Sequence, residues 1–241
     1  MKIIGLIPAR KGSKRIPGKN LKLLGGKSLV RRAIEGAHKS RVFEQIIVST
    51  DWDECAAAAV LSHAGFIERP SDLSGDDSHD FEWVKHALNL MPGFDIFIIL
   101  RPTSPFRTKD TIIRALNKFI AYQPADSLRA VERTSAHPGK SWVLSGDYMR
   151  PLQHLPVFNG VACYDMPTQA LESIETVYSQ NGCIHIGWVS NIERYGNVSG
   201  NTILPYFTQG DEGIDINTPE DLQYAGWLMD QKQGPNDWRG Q

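Results

Sequence analysis

Residues 3–20 read IIGLIPARKGSKRIPGKN, and this stretch contains the first evidence of the fold class. It joins a short apolar run, Ile3–Pro8, directly to a basic loop punctuated by glycines. Consecutive apolar residues point to both faces of a strand, so the run predicts a β-strand that is buried on both sides. A first strand of this kind indicates a sheet that carries helices on both faces.

The rest of the chain continues this alternation of apolar strands and amphipathic helices. The patterns predict strands at residues 45–49, 95–100, 127–131 and 182–189, and helices at residues 29–38, 54–64, 81–90, 110–122 and 219–229. Thr218 followed by Pro219 is typical of a helix start. We therefore predict the α/β class, with a Rossmann-like, mostly parallel sheet covered by helices on both faces, in a single domain spanning residues 1–241.

Residues 135–180 interrupt the alternation. Prolines and a Ser-Gly-Asp turn break this part of the chain into short pieces. Residues 141–144 and 148–152 flank the turn and predict a hairpin. We interpret residues 135–180 as a small lobe inserted into the domain.

The composition is that of a folded globular protein, with 41% hydrophobic and 22% charged residues. These fractions exclude a disordered tail and a fibrous repeat. Three cysteines are too few for a disulfide framework, which favours a reducing compartment. No apolar run approaches the roughly 20 residues that a membrane helix needs, and the opening apolar stretch is too short for a signal peptide. We expect a cytoplasmic protein without a membrane partner.

Charge is distributed very unevenly along the chain. The formal net charge is −1, yet residues 1–41 contain twelve basic residues and a single acidic one, Glu35. Such a basic cluster attracts phosphate groups. Charge alone fits a nucleotide, a nucleic acid or an acidic lipid.

The basic loop after the first strand narrows this choice. In open α/β sheets, ligands bind at the carboxyl ends of the strands, where this loop lies. Its glycines let backbone amides approach an anion, Arg10 can grip phosphate oxygens with two nitrogens, and its lysines add compact charges, which favours a triphosphate. The dinucleotide pattern GxGxxG is absent, and Leu21 stands where a P-loop ending in Gly26-Lys27-Ser28 would need a glycine.

The loop IPARKGSKRIPGKN, residues 7–20, resembles the signature loop of the sugar-acid cytidylyltransferases. These are the CMP-sialic acid synthetases and their relatives for pseudaminic, legionaminic and 3-deoxy-octulosonic acids. Further segments resemble the family in the same order along nearly the whole chain: Gly26-Lys27-Ser28-Leu29, Val48-Ser49-Thr50-Asp51, Arg69-Pro70, Leu73-Ser74-Gly75-Asp76, Arg101-Pro102-Thr103-Ser104-Pro105-Phe106-Arg107, His137-Pro138, Asn181-Gly182-Cys183-Ile184 and Asp215-Ile216-Asn217-Thr218-Pro219-Glu220-Asp221. Several matches in order are much harder to obtain by chance than one.

The resemblance implies a nucleotidyltransferase fold of the GT-A-like kind and an enzyme that transfers CMP from CTP to the anomeric hydroxyl of an α-keto sugar acid, releasing pyrophosphate. Phosphoryl-type transfers require mainly positioning and charge neutralisation. By motif position, the catalytic residues would be Arg10, Lys19 and Asp215. The nucleotide would be bound by Arg10, Ser13, Lys14, Lys19, Asn20 and Arg69, with Arg69 at the cytosine edge.

The resemblance also implies a magnesium ion held by the segment that begins at Asp215. Magnesium takes hard oxygen ligands and commonly binds substrate phosphates. Asp215 and Asn217 are the predicted ligands. Asn217 departs from the acidic residue usual there, and its neutral amide is a weaker ligand, which leaves one ion or two open. An ordinary Asx turn before the helix is the alternative for this segment.

Acceptor binding is assigned in the same way to Arg101, Thr103, Ser104 and Asn181. Arg101 stands where the family often has glutamine, and its guanidinium can pair with a sugar-acid carboxylate or with a buried structural partner. Asn181 can bind the sugar or serve as a turn residue. Departures from the sialic acid pattern around residues 76–80 weaken N-acetylneuraminate as the acceptor and leave other nonulosonates open.

We expect CTP and an α-keto sugar acid as partners, no nucleic acid, and a homodimer whose contact is made by the lobe, as in similar enzymes. Within the enzyme class, a CMP-Kdo-type or other sugar nucleotidyltransferase is the alternative. A non-catalytic nucleotide- or RNA-binding domain is the alternative of another class. Steep weakening of binding by salt would indicate RNA.

Overall fold

The computed structural model describes residues 1–134, 136–152, 161–170 and 176–233. The chain divides into two compact units. The larger unit comprises Met1–Ala130 and Asn181–Gln241, and the smaller one comprises Val131–Gln180.

A sheet of seven strands forms the centre of the larger unit, in the order β11-β7-β10-β6-β1-β4-β5. Its strands are β1 (Ile3–Pro8), β4 (Gln45–Thr50), β5 (Gly65–Glu68), β6 (Ile96–Ile99), β7 (Ser127–Arg133), β10 (Tyr178–Trp188) and β11 (Ile203–Phe207). Strands β5, β4, β1 and β6 are mutually parallel, and β10 pairs antiparallel with β6. Two further strands, β2 (Leu23–Leu24) and β3 (Lys27–Ser28), form a separate ribbon.

The pleat of β1 explains why both faces of the sheet are covered. Ile3 and Ile7 point into one apolar cluster, whereas Ile4 and Leu6 point into the other. The first cluster holds helices α1 (Leu29–Ser40), α2 (Asp53–Leu61) and α4 (Lys109–Ala121), and the second holds α3 (Asp80–Leu90) and the short α5 (Asn191–Tyr195). The α/β class and the mostly parallel sheet predicted from the sequence are confirmed.

Two strands of the central sheet, β5 and β11, were missed, and one helix was predicted too long. The helix predicted at residues 54–64 ends at Leu61, because His63 adopts a positive φ of 58° and the chain turns into β5. The short edge strand β11 contains Pro205. Proline is rare in central strands, so the sequence pattern did not indicate a strand there, although an edge strand tolerates proline.

A third apolar cluster positions the functional elements. Helix α6 (Pro219–Gln233) contributes Ala225 and Met229 to this cluster, where they pack with Ile16 of the basic loop and with Ile216. The backbone N–H of Ile216 donates to the Thr103 carbonyl at 2.8 Å. The basic loop, the segment after β6 and the segment before α6 are therefore packed around one small core.

The smaller unit contains the predicted hairpin, with β8 (Trp142–Ser145) paired antiparallel with β9 (Tyr148–Pro151). Short 3-10 helices span Pro138–Lys140 and Cys163–Asp165. Of the lobe predicted at 135–180, residues 135, 153–160 and 171–175 lie outside the described residues. The dimer contact assigned to this lobe stays a prediction.

Within the ranges that the structure describes, none of the helices has both the length and the apolar character needed to span a membrane.

Candidate functional site

A cleft of about 540 Å³ opens at the carboxyl edge of the parallel strands of the larger unit. Such edges are where open α/β sheets bind ligands. The loops that follow β1 and β6 contribute to it, together with the segment between β5 and α3. The lining residues include Arg10, Ser13, Lys14, Arg15, Lys19, Asn20, Arg69, Asp76, Ser78, Asp80, Trp83, Arg101 and Thr103. Six of these side chains are cationic and two are carboxylates, which suits a polyanionic ligand.

The basic loop is held in shape by hydrogen bonds between its backbone and nearby side chains. The amide nitrogen Nδ2 of Asn20 donates to the Arg10 carbonyl at 3.0 Å, and the backbone N–H of Lys11 donates to Asp51 Oδ1 at 2.7 Å. Thr50 Oγ1, at the end of β4, donates to the Ala9 carbonyl at 2.7 Å. Asn20 is buried, so besides lining the cleft it braces the loop.

Asp76 binds two of the loop's cations. Its carboxylate lies 2.9 Å from Arg10 Nη2 and 2.5 Å from Lys14 Nζ. Arg10 Nη1 also donates to the carbonyls of Ser74 and Gly75, at 3.0 and 2.5 Å. The hydrogen bonds from these neighbours, with the charges of Lys14 and Arg10, hold the pKa of Asp76 below its usual range. The two cations predicted to grip phosphate are thus paired with a carboxylate inside the cleft.

Lys19 lines the cleft and contacts the segment before α6. Its Nζ donates to the Ile216 carbonyl at 3.0 Å. Burial lowers the pKa of Lys19, and the nearby Asp215 carboxylate opposes this shift. A cation and a carboxylate that were predicted from motifs 196 positions apart therefore come together in the structure.

Asp215 has one oxygen available for a further ligand. Its Oδ2 accepts a hydrogen bond from Asn217 Nδ2 at 2.8 Å, whereas its Oδ1 is buried and accepts none from the described residues. A Cβ built on Gly182 would lie 3.2 Å from that Oδ1 and 3.2 Å from Arg101 Cδ. A buried oxygen that accepts no hydrogen bond destabilises the folded protein unless a cation or a water molecule binds it. The arrangement fits a hard cation at Asp215, while Asn217 presents its nitrogen to the carboxylate.

Arg69 lies deeper in the cleft and is almost fully buried, at 4% exposed. Its Nε donates to Ser49 Oγ at 3.0 Å and its Nη2 to the Ser49 carbonyl at 3.1 Å. Its guanidinium carbon lies 4.8 Å from the centre of the Trp83 ring, a cation–π contact. Burial lowers the pKa of Arg69 to about 10, so it remains charged at neutral pH.

The residues predicted to bind the acceptor are not all at the cleft surface. Arg101 and Thr103 line it. Ser104 is buried at 3% exposed, and its Oγ has no hydrogen-bond partner among the described residues. Asn181 is outside the lining, with Oδ1 accepting from the Cys183 backbone at 3.2 Å and Nδ2 donating to Thr208 Oγ1 at 3.1 Å.

Five of the lining residues named above were not assigned a role from the sequence: Arg15, Asp76, Ser78, Asp80 and Trp83. Arg15 belongs to the same basic loop, and its sequence position was a usable signal. Asp76 and Asp80 stand in a stretch that departs from the sialic acid pattern. Trp83 lies within the helix predicted at residues 81–90, and no other feature of the sequence pointed to it.

Fold and cleft together define a class: an α/β protein with a cationic ligand site at the carboxyl edge of its sheet. Comparison with known proteins identifies the family. A family model described as Cytidylyltransferase matches residues 4–137, more than half of the chain. The chain belongs to the cytidylyltransferase family, which confirms the resemblance predicted from its motifs.

Two similar proteins and one similar structure illustrate the relationship. CMP-N,N'-diacetyllegionaminic acid synthase of Legionella pneumophila is 34% identical, over 97% of this chain and 98% of that protein. N-acylneuraminate cytidylyltransferase of Escherichia coli O18:K1:H7 is 31% identical over 96% of this chain, which spans only 53% of that protein's length. The structure of CMP:2-keto-3-deoxy-manno-octonic acid synthetase complexed with CTP matches with a TM-score of 0.71 at 18% identity, covering 96% of this chain and 100% of that one. At that identity the likeness concerns the fold alone.

Proposed function

We propose that this protein transfers CMP from CTP to the anomeric hydroxyl of a nonulosonate α-keto sugar acid, with release of pyrophosphate. The observation that carries the proposal is that Lys19, which lines the cationic cleft at the carboxyl edge of the sheet, binds the Ile216 carbonyl next to Asp215. The names of the similar proteins from Legionella and Escherichia support the reaction and the acceptor class.

In this reaction the oxygen of the acceptor hydroxyl attacks the α-phosphorus of CTP, a P–O bond forms, the bond to pyrophosphate breaks, and the hydroxyl proton is released to solvent. The chain's part is to hold the two substrates in line and to neutralise the charge that develops on the phosphates. We assign the triphosphate to Arg10, Ser13, Lys14 and Lys19, and the cytosine side to the pocket formed by Arg69 and Trp83. Asn20 maintains the shape of the loop.

We also propose that Asp215 holds a magnesium ion. When bound, the ion would neutralise phosphate charge and orient the triphosphate. The free, buried Oδ1 supports this role, and Asn217 serves best by orienting the carboxylate through Oδ2. No group of three or more His, Cys, Asp or Glu side chains among the described residues is arranged to hold a metal ion, so the remaining ligands would be water and substrate oxygens.

We propose a homodimer in the cytoplasm as the working form. Exposed apolar side chains on the hairpin of the smaller unit support a contact there, with Leu144 80% exposed and Tyr148 81% exposed. Cys55 and Cys183 are buried and form no disulfide bond, which supports a reducing compartment.

The test of the proposed function is pyrophosphate release with each of the four nucleoside triphosphates and a panel of α-keto sugar acids. We expect release with CTP that depends on a nonulosonate acceptor and on magnesium. Preference for another nucleotide, or binding of nucleotide or RNA without pyrophosphate release for any acceptor, would contradict the proposal.

Replacing Gly182 with alanine should impair transfer. The added Cβ would contact Asp215 Oδ1 and Arg101 Cδ at 3.2 Å each, so one of these charged side chains must shift by a few tenths of an ångström. Since small displacements in an active site are costly, we expect kcat/KM to fall by about tenfold. Gly226→Ala on α6 is the control, because nothing lies within 4 Å of a Cβ built there. Equal activity of the two variants would show that the close approach is unimportant.

Replacing Asp76 with asparagine should strengthen CTP binding. In the present structure its carboxylate forms ion pairs with Arg10 and Lys14, which we propose bind the phosphates of CTP. An exposed ion pair contributes little, so we expect the dissociation constant of CTP to fall by only about three- to fivefold in calorimetry. Asp77→Asn, at an exposed neighbouring position outside the cleft lining, should leave it unchanged. Weaker binding in Asp76→Asn would mean that Asp76 assists the nucleotide rather than competing with it.

A further inference from the structure

The carboxylate of Asp80 binds two other side chains that line the cleft, those of Trp83 and Arg101. Asp80 is the first residue of α3, and each of its oxygens serves a different partner. Oδ1 accepts a hydrogen bond from the indole Nε1 of Trp83 at 3.0 Å. Oδ2 accepts a charge-assisted hydrogen bond from Arg101 Nη2. The side chain was not assigned any role from the sequence.

The Trp83 indole that Asp80 binds is in turn in contact with Arg69. The Arg69 guanidinium carbon lies 4.8 Å from the centre of the Trp83 ring, and Trp83 is 2% exposed. Two hydrogen bonds to Ser49 hold the same guanidinium from the strand side. The orientation of the residue that we assign to the cytosine edge therefore depends on the ring that Asp80 holds.

Asp80 also binds the guanidinium of Arg101, which has further N–H donors that are not used in this contact. A guanidinium carries five N–H donors. Within the ranges that the structure describes, Asp80 is the one acceptor of the Arg101 side chain, which lines the cleft and is 35% exposed. The unused N–H groups of Arg101 can meet a carboxylate on the substrate side without giving up Asp80.

Asp80 is suited to this task because it stays ionised. Although burial opposes ionisation, the charge of Arg101 and the hydrogen bond from Trp83 outweigh it and hold the pKa of Asp80 below its usual range. An ionised, half-buried carboxylate with both oxygens engaged has little freedom to move. It is a rigid connection between Arg101 and Trp83.

We propose that Asp80 is a positioning residue that orients Arg101 for the carboxylate of the acceptor through Oδ2, and Trp83 with Arg69 for the nucleobase through Oδ1. This inference rests on the proposed function and adds to it the residue that aligns both substrates. Each oxygen serves one substrate, so the two effects can be separated by substitution.

The variant Asp80→Asn tests the effect of Asp80 on acceptor binding separately. The amide oxygen can still accept from Trp83, but the variant loses the negative charge opposite Arg101 and presents an NH₂ group to it. We expect KM for the sugar acid to rise by about tenfold, as for loss of a charge-assisted hydrogen bond, while KM for CTP stays within about twofold. The acceptor in these assays is the sugar acid that gives the fastest pyrophosphate release with the wild-type chain. The matched control Asp77→Asn should change neither constant.

The variant Trp83→Phe tests the effect on nucleotide binding separately. An aromatic ring remains over Arg69, but the N–H that binds Asp80 Oδ1 is lost. We expect KM for CTP to rise by about fivefold and KM for the sugar acid to stay within about twofold. The two variants should thus give mirror-image patterns, which a general loss of fold integrity would not produce.

A double-mutant cycle decides whether Asp80 acts through Arg101. If it does, Asp80→Asn combined with Arg101→Gln should raise the sugar-acid KM no further than Arg101→Gln alone. Multiplying effects would overturn the inference, and so would an Asp80→Asn variant with unchanged constants or with equal changes for both substrates. Absence of turnover by the wild-type chain would instead contradict the proposed function, so the two failures are distinguishable.

Discussion

Replacing Asp215 with asparagine should reduce kcat by about 100- to 1000-fold, the range typical of losing a group that stabilises developing charge. The substitution keeps the size of the side chain but removes the charge next to Lys19. It also turns Oδ1, the buried oxygen without a donor, into part of a neutral amide. We expect the magnesium concentration needed for half-maximal rate to rise as well, because an amide is a weaker ligand than a carboxylate.

The effect of Asp215→Asn can be checked by steady-state pyrophosphate release at several magnesium concentrations. Glu220→Gln is the matched control, since Glu220 lies in the same segment, is exposed and does not line the cleft. The control should retain wild-type kinetics. A kcat for Asp215→Asn within about threefold of wild type, well below the loss expected for a charged contact, would refute the role assigned to this carboxylate.

Replacing Lys19 with methionine should reduce kcat/KM for CTP by about 100-fold, since a charge-assisted contact at a partly buried position is lost while the aliphatic stem remains. Lys19 is the cation that meets the Asp215 segment directly, through the Ile216 carbonyl. Lys22→Met is the control, because Lys22 is exposed three residues further on and does not line the cleft. An equal loss in both variants would mean that overall positive charge, rather than this position, attracts the nucleotide.

The pH dependence gives a second signature of Lys19. Burial lowers its pKa below the ordinary value of 10.5, so it loses its charge at a lower pH than an exposed lysine does. The charged form is the active one in our account, and kcat/KM should therefore fall on the alkaline side with a midpoint below 10.5. In Lys19→Arg that decline should move to higher pH, because a guanidinium stays protonated.

Local pattern was sufficient to predict the fold class of the larger unit and five of the seven strands of its sheet. β1 and β6 are apolar on both faces, as a sheet covered on both sides requires, and their residues divide between the two apolar clusters. The missed strand β5 has four residues, three of them exposed, and follows a helix through a turn at His63. Such a strand owes its existence to pairing with β4, a tertiary contact that no local pattern contains.

The cleft was predicted in part, for a physical reason. The loop cations Arg10 and Lys19 were found because basic residues and glycines after a first strand are a local signal. Asp80 and Trp83 were missed because their role arises from what they touch, which is Arg101 on another loop and Arg69 on another strand end. Motif position predicted the role of Asp215, but tertiary contacts explain how its segment reaches the loop: Ile216 shares an apolar cluster with Ile16 and accepts a hydrogen bond from Lys19.

The most direct test of the central claim is an experimental structure of this chain with CTP and magnesium. We predict the triphosphate against the loop that carries Arg10 and Lys19, Asp76 released from Arg10, and a magnesium ion between Asp215 Oδ1 and the phosphates. CTP bound elsewhere on the molecule, or a triphosphate in the cleft with no contact to Lys19 and no ion at Asp215, would contradict the account.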